Sequence, residues 1–123
     1  MSATPLPPHV AAACLPFAGI AGVCDRCGTA LAPRRRRWCS DECCDTYFRN
    51  HEYNIARHHA RIRDDMRCTV EGCTSAKWDV EVDHIVAARG KHGVHSCVHH
   101  LDNLRCLCTT HHRERTAEQR RAS

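Results

Sequence analysis

Residues 78–85, WDVEVDHI, and residues 101–115, LDNLRCLCTTHHRER, decide how this chain is to be read. In the first stretch Trp78, Val80 and Val82 alternate with Asp79, Glu81 and Asp83, which is the period of a half-buried strand and puts His84 at its end. Eighteen residues separate His84 from Asn103, and eight more separate Asn103 from His112. From about Thr109 to Gln119 no helix breaker occurs, so His112 is expected on a final helix. An Asp and a His distant in sequence can meet around one divalent cation, which makes Asp83 and His112 the expected ligands. His84 is then free to take a proton from water, since its ordinary pKa of about 6.5 suits a base near neutral pH. Spacing alone does not separate base from ligand. The set as a whole fits metal-assisted phosphodiester cleavage.

Working outward, the 123 residues leave room for one ordinary domain or two very small ones. Leu, Ile, Val and Phe number only 20, about a sixth of the chain, so a core of aliphatic side chains cannot be what holds it together. The 11 cysteines are the substitute. They fall in local pairs: Cys24 with Cys27, Cys39 with Cys43, Cys68 with Cys73, and Cys108 with His111. Paired spacing and an odd count point to zinc ligation rather than disulfides. Two structural zinc sites are expected, one of Cys24, Cys27, Cys39 and Cys43, the other of Cys68, Cys73, Cys108 and His111. Cys106 is the alternative to Cys108 in the second, although it is out of register with His111. Cys14, Cys44, Cys97 and Cys106 then remain and read as free thiols, the alternative being a metal role.

The first module, 23–65, should return on itself between Cys27 and Cys39, and Ser40 followed by Asp41 and Glu42 reads as a capped helix start. No Gly or Pro interrupts Ser40 to Cys68, and Cys44, Phe48, Ile55 and Ile62 recur at helical spacing, so one continuous helix from Ser40 to about Arg63 is expected, burying that stripe. His51, His58 and His59 lie at its margins as polar boundary residues. Arg34, Arg35, Arg36 and Arg37 form an unbroken basic run, and Arg49, Arg57 and Arg61 follow on the helix; such a stripe can contact phosphate, or be an ordinary solvated face. Residues 1–22, rich in Pro, Ala and Gly, read as a flexible arm, the alternative being that Leu15, Phe17 and Ile20 pack on the first zinc module. The net charge of +4 is weak evidence for a partner, because bound thiolates and metal ions alter it.

From Met66 to Gln119 the chain resembles the HNH endonuclease family, the resemblance resting on Asp83-His84-Ile85, Asn103 and the Leu101-to-Arg115 stretch ending in His112. The resemblance implies a small α+β, zinc-stabilised ββα-metal fold over 66–123, with the Asp-His pair on a hairpin and His112 on the helix after it. It implies that His84 is the general base, that Asn103 fixes the hairpin, and that Mg²⁺ or another divalent ion is the catalytic metal. The aromatic-Cys-Ser-x-x-Cys ending at Cys43 resembles small treble-clef-like zinc fingers. Two departures from the family pattern stand out: four residues rather than two lie between Cys68 and Cys73, with His111 in place of a cysteine, and Val86 and Ala87 replace a proline often found after Asp-His-Ile.

The expectation is thus a DNA endonuclease, nicking or cutting both strands. The alternative is a noncatalytic zinc-stabilised nucleic-acid-binding adaptor. RNA is a further candidate substrate, although no base-stacking RNA motif is present. Arg89, Lys91 and Arg105 read as solvated charges or phosphate contacts, and His92, His95, His99 and His100 as a histidine-rich loop bending back to the site, any one of them a candidate for an extra ligand or substrate contact. No basic leader precedes an apolar run and no apolar stretch approaches the ~18 residues of a membrane span, so a soluble protein of a reducing, intracellular compartment such as the cytoplasm is expected, with a DNA-processing partner left open.

Overall fold

A computed structural model of the chain describes residues 14–122. The first thirteen positions of the expected N-terminal arm lie outside the described residues. The rest of that arm runs as turns, with the Phe17 amide donating to the Asp25 carbonyl at 3.0 Å. Gly28 turns the first Cys pair at φ +77°, a backbone conformation that favours glycine, and a Cβ there would stand 2.8 Å from the Phe17 ring, which would have to shift.

Among the described residues, three helices and one two-stranded sheet follow in the order α1 (Asp41–His51), α2 (Tyr53–Arg63), β1 (Glu81–His84), β2 (Leu104–Leu107) and α3 (Thr109–Ala122). Two single 3₁₀ turns, Cys97–His99 and Leu101–Asn103, precede β2. The strands pair antiparallel, with Asp83 opposite Arg105 and His84 opposite Leu104. Ser40 caps α1 by accepting from the Cys43 amide.

The single helix expected from Ser40 to Arg63 is instead two. Glu52 adopts an extended backbone (φ −100°, ψ 118°), gives its amide to the Phe48 carbonyl, and accepts from the Asn54 and Ile55 amides with its carboxylate. One residue therefore ends α1 and caps α2, the Glu side chain supplying what a Ser or Asp usually supplies. The break resets the phase of the buried face. Cys43, Tyr47 and His51 are buried in α1, and Ala56 and Ala60 in α2. Ile55 and Ile62, expected on the buried stripe, are exposed.

Ala56 and Ala60 let α2 lie close on the sheet, forming a core with Val82, Leu104 and Cys106, with Val80 and Leu101 at its edge. The alternating strand expected from Trp78 is shorter, beginning at Glu81; Trp78 has φ +77° and is 70% exposed. After Glu81, three consecutive residues are buried because both faces of β1 are covered. Val82 packs toward α2, and Asp83 lies toward α3 on the opposite face. A latch closes the α2 end. Arg63 donates to the Leu101 and Leu104 carbonyls and pairs with Asp64 at 2.9 Å, while Asp64 accepts from the Cys106 amide at 3.0 Å.

Candidate functional site

Three clusters of Cys and His are assembled among the described residues, each with its ligand atoms within 4.8 Å of one another. The first joins Cys24, Cys27, Cys39 and Cys43, with Cys27 and Cys39 sulfurs 3.4 Å apart and Cys39 and Cys43 sulfurs 3.6 Å apart. A tetrahedral zinc with Zn–S of about 2.3 Å has S···S edges of about 3.8 Å, so the donor set fits the ion. Burial raises the Cys24 thiol, but the backbone amides of Cys27, Cys39 and Arg26 outweigh it and bring it down to about 6. The neighbouring Cys27 and Cys43 sulfurs push Cys39 up to about 12. One thiolate thus opposes the next, a conflict that a dication placed among them removes.

The second cluster joins Cys68, Cys73, Cys108 and His111, with His111 Nδ1 3.4 Å from the Cys68 sulfur and 3.1 Å from that of Cys108. The side-chain hydrogen bond with Ser75 leads the effects that bring Cys73 down to about 6. The wide Cys68–Cys73 spacing is therefore compatible with convergence, and the cluster fastens the segment before β1 to the first turn of α3. Cys106 is elsewhere, buried in the core with its sulfur toward the Ala60 carbonyl at 3.9 Å. These clusters fit zinc. A third, of Cys14, His51, Cys97 and His100, includes two residues read from sequence as free thiols. Its one local sequence signal is the Cys97-x-x-His100 spacing.

A different kind of site lies where β1 ends against α3. Val82, Asp83, His84, His92, His112 and Gln119 line part of a cleft of about 310 Å³. Buried Asp83 carries Oδ1 3.9 Å from His112 Nε2 and receives Arg105 Nε on Oδ2 at 3.3 Å. The other nitrogen of His112, Nδ1, meets Glu81 Oε2 at 2.6 Å. Glu81 and Asp83 share one face of β1, so one strand both orients the His112 ring and supplies its neighbour. A carboxylate on the remote ring nitrogen fixes a metal-ligand tautomer, with the Nε2 lone pair turned toward Asp83. Glu81 was not legible as a partner, because in sequence it is one of several alternating acids.

His84 is buried, and its Nε2 lies 3.0 Å from His99 Nδ1. His99 Nε2 in turn faces the Lys91 and Val94 carbonyls at 2.9 and 3.1 Å. Carbonyls only accept, so His99 carries its proton on Nε2 and accepts on Nδ1; His84 must then donate from Nε2, leaving Nδ1 with the lone pair. The Tyr53 ring stacks on His84 at 5.2 Å, and the His92 ring meets it edge-on at 5.0 Å. Burial, with His99 and His92 beside it, holds His84 down to about 4, so the imidazole is neutral at neutral pH.

Asn103 closes the loop between the strands. Its Oδ1 accepts from the Val86 amide at 2.8 Å, and Nδ2 donates to the Val86 and Val98 carbonyls at 3.1 and 2.7 Å. From α3, Arg115 donates to the Ile85 carbonyl at 2.8 Å and Gln119 to that of His84 at 3.4 Å. The chain on either side of His84 is held from both directions.

The arginines are unequal. Arg37 pairs with Asp25 at 2.8 Å and lies 4.5 Å over the Trp38 ring, and Arg35 pairs with Asp41 at 3.4 Å, whereas Arg34 and Arg36 face solvent. On the helices Arg49 bonds back to Asp45 and Thr46, Arg57 lies 5.7 Å over Tyr53, and Arg61 is half-buried. No helix among the described residues is long and apolar enough to cross a membrane. Comparisons with protein-family models, curated proteins and solved structures returned no match.

Proposed function

We propose that this chain is a metal-dependent endonuclease of the HNH type that hydrolyses DNA phosphodiester bonds. The observation that carries the proposal is the convergence of Asp83, His84 and His112 on one cleft, with Asn103 holding the loop behind them. Asp83 and His112 would hold Mg²⁺ or another divalent ion, which supplies charge stabilisation for the attacked phosphate and the leaving oxygen. An ion held by these two protein ligands would keep positions for water and phosphate oxygens. His84 accepts the proton of the attacking water on Nδ1, and His99 fixes that tautomer from behind. Glu81 keeps His112 oriented, and Arg105 offsets the charge of Asp83. Arg34 and Arg36 give the protein an exposed basic edge suited to the DNA backbone.

Supercoiled plasmid incubated with the zinc-loaded chain and Mg²⁺ or Mn²⁺ tests the proposal. Nicked or linear product is expected, dependent on the added ion; no product across several divalent metals and on plasmid, branched and single-stranded DNA would overturn it. The exposed basic edge also supports a second reading, a noncatalytic nucleic-acid-binding adaptor, for which salt-dependent binding without turnover is the signature.

A further inference from the structure

We propose that Cys14, His51, Cys97 and His100 form a third structural zinc site, of Cys₂His₂ type, which clamps the segment before the first module to the end of α1 and to the loop that backs His84. The four donors come from three separate parts of the chain and converge as the ligands of one ion would. The Cys14 sulfur is 3.6 Å from Cys97 Sγ, 3.6 Å from His51 Nε2 and 3.5 Å from His100 Nε2. Cys97 Sγ lies 3.8 Å from His51 Nε2, and the two imidazole Nε2 atoms are 3.0 Å apart. A tetrahedral zinc with Zn–S of about 2.3 Å and Zn–N of about 2.0 Å has edges of about 3.8 Å between sulfurs, 3.5 Å between sulfur and nitrogen, and 3.3 Å between nitrogens. The observed edges lie close to that set.

A second observation concerns the His51 tautomer. Its Nδ1 lies 2.8 Å from the Tyr47 carbonyl, which can only accept, so the proton sits on Nδ1 and the Nε2 lone pair faces the cluster. That remote backbone hydrogen bond is the arrangement by which metal-ligating histidines are oriented. The His100 Nδ1 is buried without a partner, so nothing outside the cluster selects its tautomer. Two sulfurs and two imidazoles also make a soft donor set that suits zinc rather than Mg²⁺ or Ca²⁺.

The position of the site gives it a role. His51 ends α1, where its carbonyl accepts from the Ser96 amide at 3.0 Å, and the Leu101 amide donates to Asn50 at 3.0 Å. An ion at the cluster would fix residues 97–103 to this helix end. His99, which is bonded to His84, and Asn103, which closes the loop, both lie in that segment. Zinc binding at this cluster is independent of whether the chain cleaves DNA, because its four donors are separate from Asp83, His84 and His112.

Zinc in the full-length chain, purified under reducing conditions and measured by elemental analysis, should reach three equivalents, and Cys14→Ser or Cys97→Ser should each lower it to two with helical content retained. Replacing the metal with Co²⁺ should give thiolate charge-transfer absorbance for nine bound cysteines, seven in the first two clusters and two in the third. Cys14→Ser serves as the mild variant, since it lies before the first module and outside the hydrophobic core. A parent chain with two equivalents whose Cys14 and Cys97 react freely with an alkylating reagent would overturn the proposal. So would a Cys14–Cys97 disulfide in that two-zinc protein.

Discussion

His84 shows how neighbours decide what one side chain can do. Its neutral state follows from burial, and its tautomer from a chain of two hydrogen bonds that ends on backbone carbonyls. His112 is set differently, by the Glu81 carboxylate behind it. On the proposed reading the two should therefore fail in different ways. His84→Ala should lower plasmid cleavage by roughly 10²–10⁴-fold while divalent-ion and DNA binding persist. His112→Ala should lower ion affinity as well as rate, and excess Mn²⁺ should restore part of it. Titrating cleavage against Mn²⁺ for both variants separates them, and a His84→Ala protein that loses the ion as completely as His112→Ala would mean base and ligand are wrongly assigned. Asp83, His84 and His112 were legible as a set because each is a chemically specialised residue. His99 was visible only as one of four histidines in a loop, since nothing in sequence says which ring will reach another.

Elements carry their own lesson at Glu52 and Asp64. A strong helix former with no Gly or Pro nearby gives no sign of a break, yet Glu52 turns its carboxylate onto the first amides of α2 and divides the helix. What selects that geometry is tertiary: the buried faces of α1 and α2 meet different partners. Asp64 secures the far end of α2 to β2. Burial raises its carboxyl, but the Arg63 guanidinium and the Cys106 amide outweigh this and leave it below the ordinary carboxylate range. Its stabilisation is hence present above the unfolded value of about 3.9 and is lost as pH falls through the lower folded one. Asp64→Asn should cost about 1–2 kcal/mol at neutral pH, discounted because Arg63 is 40% exposed and its ion pair is screened. Chemical denaturation at neutral and acid pH should show the gap between parent and variant closing in acid; a gap unchanged with pH would remove the charge from the account. The basic run also divides. Arg35 and Arg37 already have acidic partners, so Arg34→Ser with Arg36→Ser should account for most of the loss of DNA affinity and reduce the salt slope by about one for each DNA phosphate no longer neutralised. Equal affinity and slope in parent and variant would identify these two arginines as merely solvated.

For the whole molecule, Cys/His clusters that fit zinc stand where a larger protein has its core. The buried cluster between α2 and the sheet contains two alanines, a valine, a leucine and a cysteine, and three Cys/His clusters are assembled elsewhere among the described residues. The first two clusters were legible because their ligands occur as local pairs a few residues apart. The third draws Cys14, His51 and the Cys97–His100 pair from distant positions, and only the folded chain brings them together. A structural zinc contributes an apparent ~10–16 kcal/mol to folding in small zinc-binding peptides, whereas a whole domain is stable by only about 5–15 kcal/mol. Even a fraction of the first figure exceeds what so small an aliphatic core can leave as net stability. Stripping the full-length reduced chain with a high-affinity zinc chelator should therefore abolish helical circular dichroism and the cooperative thermal transition. Added Zn²⁺ should restore both, but Mg²⁺ should not, since it favours hard oxygen ligands. Acid should act in the same direction, because protons compete for the thiolates and imidazoles that must bind as bases. A metal-free chain that still melts in one cooperative transition would show that the aliphatic core suffices alone.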